Sequence, residues 1–231
     1  MVEQQPSKLN MRVRFPLPAP ARHHSGSVPS VVEMRYAPGM TIPVTQAAEG
    51  LPRRAFTITD VERMVEVGLI PPDERLEIIG GEIVPMSPKG NRHERMKVAL
   101  NLLWGRACPE GFAFAPETAL RLDKYTYLEP DFVVFDRRVA LGSLTGPDVL
   151  LAVEVADSSL GYDLGRKAQV YAAFGVRELW VVNAARRVAH VLINAGPEGY
   201  ASVVKRRASE RLEPTHAPRE FAFSLDDLEP I

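Results

Sequence analysis

Cysteine is almost missing from this chain of 231 residues: Cys108 is the one example. That excludes an intramolecular disulfide framework and a cysteine-based zinc site, and it suits a reducing compartment. Cys108 itself reads as a small packing residue. No run approaches the ~20 consecutive apolar residues that cross a bilayer. The opening stretch MVEQQPSKLNMRVRFPLPAPARHHSG has no apolar core of the secretory kind. No membrane association is therefore expected, and the cytoplasm is the expected compartment. A surplus of charge is also absent, with 28 Lys and Arg against 29 Asp and Glu. Non-specific binding to phosphate backbones needs clustered cations, so any contact with nucleic acid must be local. Histidine is sparse and scattered: His23 and His24 fall near the start, and His93, His190 and His216 lie far apart. That leaves no zinc-ligand spacing, and Ser158 and Ser159 read as turn or cap residues rather than nucleophiles.

What is present is ordinary for a globular protein: 45% apolar and 25% charged residues. Residues 1–52, rich in Pro, Ser, Gly and Arg, are expected to be a disordered or weakly ordered tail, with the folded domain over 53–231. Arg12, Arg14 and Arg22 of that tail are open to two readings, a nucleic-acid contact or a solvated extension. Met34 or Met40 is an alternative start, which would set residues 1–33 or 1–39 apart as an upstream extension. T-D-V-E from Thr59 to Glu62 predicts a capping box and a helix ending near Gly68. RLEII-GG-EIVPM predicts a hairpin turning at Gly80 and Gly81. Met96, Val98, Ala99, Leu102, Leu103 and Trp104 recur at helical spacing over Asn91 to Ala107. FAPETALRL, DFVVF and VLLAVEVA read as strands, and DLGRKAQVYAAFG reads as a helix stopped by Gly175. ELWVVN, VAHVLI and ASVVK complete a mixed sheet, with a last turn at FSLDDL. The fold class is α/β of the α+β type: a mixed central sheet flanked by helices.

Glu154 is the anomaly in this pattern. A carboxylate in the middle of LLAVEVA is costly unless it is paired or bound to a metal. It reads equally as a site residue or as an acid at an exposed sheet edge or beside an arginine. Asp131, following Pro130, begins DFVVF, and the loop containing Gly142, Gly146 and Pro147 is long enough to bring that strand beside VLLAVEVA. Two carboxylates on neighbouring strands suffice for a hard cation such as Mg²⁺ at a phosphodiester site. Asp163, Lys167, Tyr171 and Phe174 share one helix face. Two readings are open there as well: Lys167 and Tyr171 directed at the strand ends, or an Asp163–Lys167 surface pair with Tyr171 packed on the sheet.

The ordered series Pro130-Asp131, Glu154-Val155, Asp163, Lys167 and Tyr171 before GVRELWVVN, together with RLEIIGGEIVPMSP and His93, resembles the Uma-two family of restriction endonucleases. That family is one of the PD-(D/E)XK nucleases, and the resemblance spans about residues 55–228. It implies a restriction-endonuclease-like fold and metal-dependent cleavage of DNA, with Mg²⁺ as the cofactor and Mn²⁺ as an alternative. It further implies that Asp131 and Glu154 are metal ligands, that the Val155 carbonyl adds an oxygen, and that Lys167 is the catalytic lysine. In the common pattern that lysine stands two residues after the acid, where this chain has Ala156, so the resemblance implies a lysine displaced to the next helix. Asn183 also stands where relatives often carry an acid. Glu77, His93 and Tyr171 are secondary candidates. Glu77 reads more readily as a hairpin acid and His93 as a surface or capping residue, and Glu117 is weaker still. A homodimer would suit cutting of both strands. The other class of function open to this fold is a catalytically inactive module that binds nucleic acid or protein. The clusters Arg186-Arg187 and Lys205-Arg206-Arg207 fit either class, and also fit solvated hairpins.

Overall fold

A computed structural model of the protein describes residues 32–37, 40–46, 51–86 and 88–228. The chain enters through β1 (Val32–Ala37), β2 (Met40–Gln46) and β3 (Pro52–Arg54), an antiparallel three-stranded sheet. Strands β1 and β2 fall within residues 1–52, where the sequence gives no strand signal. The segments VEMRYA and MTIPVTQ are each too short to give sustained periodicity, and it is backbone pairing, Val32 with Val44 through Ala37 with Met40, that makes them strands. Residues 1–31, with Arg12, Arg14 and Arg22, lie outside the described residues.

Helix α1 (Ile58–Glu66) is capped by Thr57, not Thr59. The Thr57 hydroxyl accepts from the Asp60 amide at 3.0 Å, and Asp60 Oδ2 accepts from the Thr57 amide at 2.9 Å. Thr-x-x-acid occurs twice here, two residues apart, and packing decides between the two. Starting at Thr57 puts Ile58 and Val61 into the small core against Ile78. Thr57→Ala is therefore expected to cost about 1 kcal/mol, and Thr59→Ala clearly less. Urea unfolding of the two variants side by side checks this.

Strands β4 (Leu76–Ile79) and β5 (Glu82–Pro85) form the expected hairpin. Gly80 and Gly81 have φ of +57° and +80°, as a tight primed turn requires. Helix α2 covers Asn91–Ala107 as expected, but its buried face differs. Met96, Leu100 and Trp104 point inward together with His93 and Lys97, whereas Val98 and Leu102 are exposed. Polar residues on the inner face meant that apolar spacing alone misjudged its direction. FAPETALRL is two strands, β6 (Phe112–Pro116) and β7 (Leu120–Asp123), broken at Glu117, where φ is +46°. β8 (Thr126–Leu128), too short to show alternation, pairs with β7 and β4.

The core of the fold is a six-stranded sheet ordered β13-β12-β11-β10-β9-β6. It comprises β6, β9 (Phe132–Asp136), β10 (Val149–Ala156), β11 (Glu178–Asn183), β12 (Val188–Gly196) and β13 (Gly199–Arg207). Only β10 and β11 run parallel within it. A parallel pair needs a crossover, which is supplied by α3 (Leu160–Tyr162), a π-helical turn (Asp163–Lys167) and α4 (Ala168–Ala173) in succession. Gly175, φ +83°, ends this rod. One face of the sheet packs Leu100 and Trp104 of α2 with Phe132, Val153, Trp180, Phe221 and Phe223. The other packs Ala168, Val170 and Tyr171 with Val133, Ala152, Val181 and residues of the four-stranded sheet β5-β4-β8-β7. The FSLDDL turn is a short 3₁₀ helix, Leu225–Asp227. Among the described residues no helix is long and apolar enough to cross a membrane.

Candidate active site

Sheet register brings the two acids together. Phe132 of β9 lies opposite Val153 of β10, so the next step along both strands sets Asp131 beside Glu154. Directly opposed residues of an antiparallel pair share a face and nearly touch. The Val155 amide donates to Asp131 Oδ2 at 2.8 Å, which fixes the Asp131 carboxylate to the end of β10. The same oxygen lies 3.0 Å from His93 Nε2, and Oδ1 accepts from Lys89 Nζ at 3.0 Å. Burial works to raise the Asp131 pKa, but His93, Lys89 and the Val155 amide together lower it to about 2.

Glu154, only 4% exposed, is served differently. Its Oε1 accepts from the Tyr171 hydroxyl at 2.5 Å and faces Lys167 Nζ at 2.9 Å. Lys167 also lies 2.8 Å from Glu77 Oε1, so one buried ammonium bridges two buried carboxylates. Glu77 Oε1 further accepts from the Glu129 amide, and its Oε2 accepts from the Tyr162 hydroxyl at 3.0 Å. Asp163, one helical turn before Lys167, accepts from Ser159 Oγ at 2.5 Å. Burial pushes Glu154 well above the usual carboxylate range. Lys167 opposes that shift, and Asp131, Asp163 and Glu77 add to it. Burial and neighbouring acids likewise raise Asp163, against the pull of Lys167 and Ser159. The Lys167 ammonium is held charged despite burial, because Glu154, Glu77 and Asp163 surround it.

Glu178 shows what a structural buried acid looks like in the same sheet. It is fully buried, yet both its oxygens accept from neutral N–H groups, of Trp180 on one side and of Thr215 and His216 on the other. Glu154 instead confronts other acids at the wall of a cavity of about 360 Å³, lined also by Glu77, His93, Asp131, Val155 and Lys167. Among the described residues no three His, Cys, Asp or Glu side chains gather as a ready metal cage. The donor set nonetheless fits Mg²⁺, which characteristically takes one or two carboxylates and completes its shell with water and phosphate oxygens.

The arrangement decides between several sequence readings. Lys167 is not in a surface pair with Asp163. Glu77, in the β4–β5 hairpin, is buried against Lys167 and Tyr162, and His93 is buried with Nε2 on Asp131. Tyr171 both packs on the sheet and bonds to Glu154. Glu154 lies at neither an exposed edge nor an arginine, and Glu117 is outside the cavity wall, in ion pairs beside it. Sequence reasoning missed Lys89 and Tyr162, whose carboxylate partners lie 42 and 85 positions away. The single local sign of Lys89 is its place in P-K-G just ahead of α2.

Among solved structures, that of a putative nuclease belonging to DUF820 from Anabaena variabilis ATCC 29413 superposes with a TM-score of 0.55 at 12% identity. The match covers 75% of this chain and 97% of that one, and it shows a shared fold. The type IIG restriction endonuclease BpuSI matches half of this chain and 14% of its own length, with a TM-score of 0.33 and 16% identity. No curated protein sequence matches the chain. The family model Uma2, "Putative restriction endonuclease", matches residues 59–226, which takes in β9, β10 and every cavity residue named above, and the chain belongs to that family.

Proposed function

We propose that the protein hydrolyses phosphodiester bonds of DNA with the help of Mg²⁺, or Mn²⁺ in its place, held by Asp131 and Glu154. The observation that carries this reading is the pairing of two buried carboxylates on adjacent strand ends, at one cavity, with a buried lysine on the second of them. When bound, the cation supplies positive charge against phosphate oxygens and acidifies water. The chain's own groups do the rest. His93, Lys89 and the Val155 amide orient Asp131 and keep it ionised. Glu77 holds Lys167 beside Glu154, where the ammonium can orient an attacking water and offset charge growing on the phosphate. Glu77 itself is held by the Tyr162 hydroxyl, and Tyr171 fixes the rotamer of Glu154. The Val155 carbonyl, next to Glu154 on the strand, is the further oxygen donor in this reading. A cytoplasmic location and a homodimer that offers one site to each DNA strand belong to the same proposal.

One observation favours a second reading. Each carboxylate already faces a lysine, Lys89 on Asp131 and Lys167 on Glu154, as in a nuclease fold kept for binding alone. Plasmid and single-stranded DNA, incubated with Mg²⁺, Mn²⁺ or chelator, separate the two. Cleavage that needs the metal and is lost in Glu154→Gln supports the enzyme. DNA binding with no cleavage under any of these conditions supports the binding module.

A further inference from the structure

Beside the cavity, three cations converge on one carboxylate that the proposed chemistry does not use. Lys89, Lys97 and Arg75 all reach Glu117 Oε1, Lys97 at 2.7 Å and Arg75 at 3.2 Å. The two lysines are nearly buried, with side chains 12% and 9% exposed, whereas Glu117 is 38% exposed. Burying an ammonium is costly without a compensating anion, so these lysines demand negative charge at this point. Asp131 also serves Lys89, Glu94 lies 3.5 Å from Lys97 and Glu129 bonds Arg75. Glu117 is the carboxylate that all three cations share, and it is more accessible than either lysine. Lys89 joins the cluster to the cavity by also bonding Asp131. The backbone makes the same connection, since the Glu117 amide donates to the Asp131 carbonyl at 3.1 Å. Glu117 holds its place with φ of +46°, a conformation that non-glycine residues seldom adopt, at the break between β6 and β7.

Carboxylate and phosphate oxygens accept the same charge-assisted bonds from lysine and arginine. We propose that Arg75, Lys89 and Lys97 form a phosphate-binding subsite for a backbone phosphate neighbouring the one at Asp131 and Glu154, and that Glu117 fills it in the free protein as an internal substitute for that phosphate. The subsite deepens the nuclease reading and rests on it for the identity of the ligand. DNA displaces Glu117, which swings out on its exposed side, and the three cations pass to the incoming phosphate. Phosphate contacts position nucleic acid without reading its sequence, so the cluster sets where along the backbone the cavity sits. The near neutrality of the chain is consistent with a local cluster of this kind.

The test is binding of a labelled short DNA duplex in chelator, so that no cleavage enters, at two salt concentrations. Glu117→Gln removes the competing charge and is expected to tighten binding about 10-fold, with a steeper salt dependence as more cations engage phosphates. Lys97→Met is expected to weaken binding by about 10-fold, and adding it to Glu117→Gln should cancel the gain. Glu117→Asn, whose side chain tolerates positive φ better, should repeat the effect of Gln and guards against a folding artefact. Unchanged or weaker binding in both Glu117 variants, with melting curves like wild type, overturns the subsite, and so does the absence of duplex binding by any form. If the wild type cuts DNA while the Glu117 variants bind as it does, the subsite fails and the nuclease reading stands. If they bind more tightly but metal-loaded protein cuts nothing, the subsite stands and the nuclease reading fails.

Discussion

Lys167→Met is expected to destabilise the metal-free protein by about 3–5 kcal/mol at neutral pH, because it leaves charge buried without its partner. Lys167 bridges Glu77 Oε1 at 2.8 Å and Glu154 Oε1 at 2.9 Å, and all three side chains are at most 5% exposed. A lysine paired with Asp163 on a solvated helix face would cost about 0.5 kcal/mol or less on replacement, so the magnitude separates the two arrangements. The pH dependence has a definite sign. The raised pKa of Lys167 means that its contribution is complete below the ordinary lysine value, 10.5, and is lost only as pH rises through the higher folded value. In the variant, Glu154 can relieve the imbalance by taking up a proton, which is easier at low pH. The loss should therefore be smaller at pH 5 than at pH 8, and urea titrations at the two pH values measure it. A loss of half a kilocalorie at both would remove Lys167 from the buried network. If Lys167 also acts on phosphate, single-turnover cleavage falls by roughly 100-fold or more in the folded fraction.

What the sequence made legible is what local periodicity encodes. The Gly80-Gly81 hairpin, helix α2 from Asn91 to Ala107 and strands β9 and β10 each carry their own repeat and punctuation. Elements defined by a distant partner were not legible. β8 is three residues long and exists through β7 and β4, β1 and β2 exist through each other, and the choice of Thr57 over Thr59 as cap is made by Ile78. The site divides in the same way. Glu154 stood out because it interrupts an apolar strand pattern, where a carboxylate needs a reason, and Asp131 stood out as a second acid at the start of DFVVF, on a strand that could lie beside it. Lys89, Tyr162 and the cations around Glu117 did not stand out, because charged and hydroxyl residues in loops and on helix faces are ordinary until a fold brings their partners to them. Lys97 was hidden further by lying on the helix face that apolar spacing should have claimed.

Asp131→Asn and Glu154→Gln are each expected to abolish metal-dependent cleavage, with a loss of at least about 10²–10³-fold, yet to move stability in opposite directions. Asp131 has its pKa lowered to about 2, so its ionised form stabilises the fold above the ordinary value of 3.8, and that contribution fades as pH falls through about 2. Asparagine keeps an oxygen for the Val155 amide but gives Lys89 and His93 no anion, at a cost of about 1–3 kcal/mol at pH 7. Glu154 is the reverse case. Its folded pKa is raised above 4.5, so its contribution is complete below that value and is lost as pH rises through the folded one. Glutamine does not titrate and can still accept from Tyr171 and Lys167, while Glu77 keeps Lys167 paired. Glu154→Gln should therefore match the wild type near pH 4 and equal or exceed its melting temperature at pH 8 without metal. Added Mg²⁺ should stabilise the wild type in proportion to its occupancy and do nothing for either variant, which makes metal affinity readable by calorimetry and by melting alike. Two variants that bind Mg²⁺ as the wild type does would remove the metal from these carboxylates. A Glu154→Gln protein much less stable at pH 8 would mean that the charge on Glu154 holds the fold together.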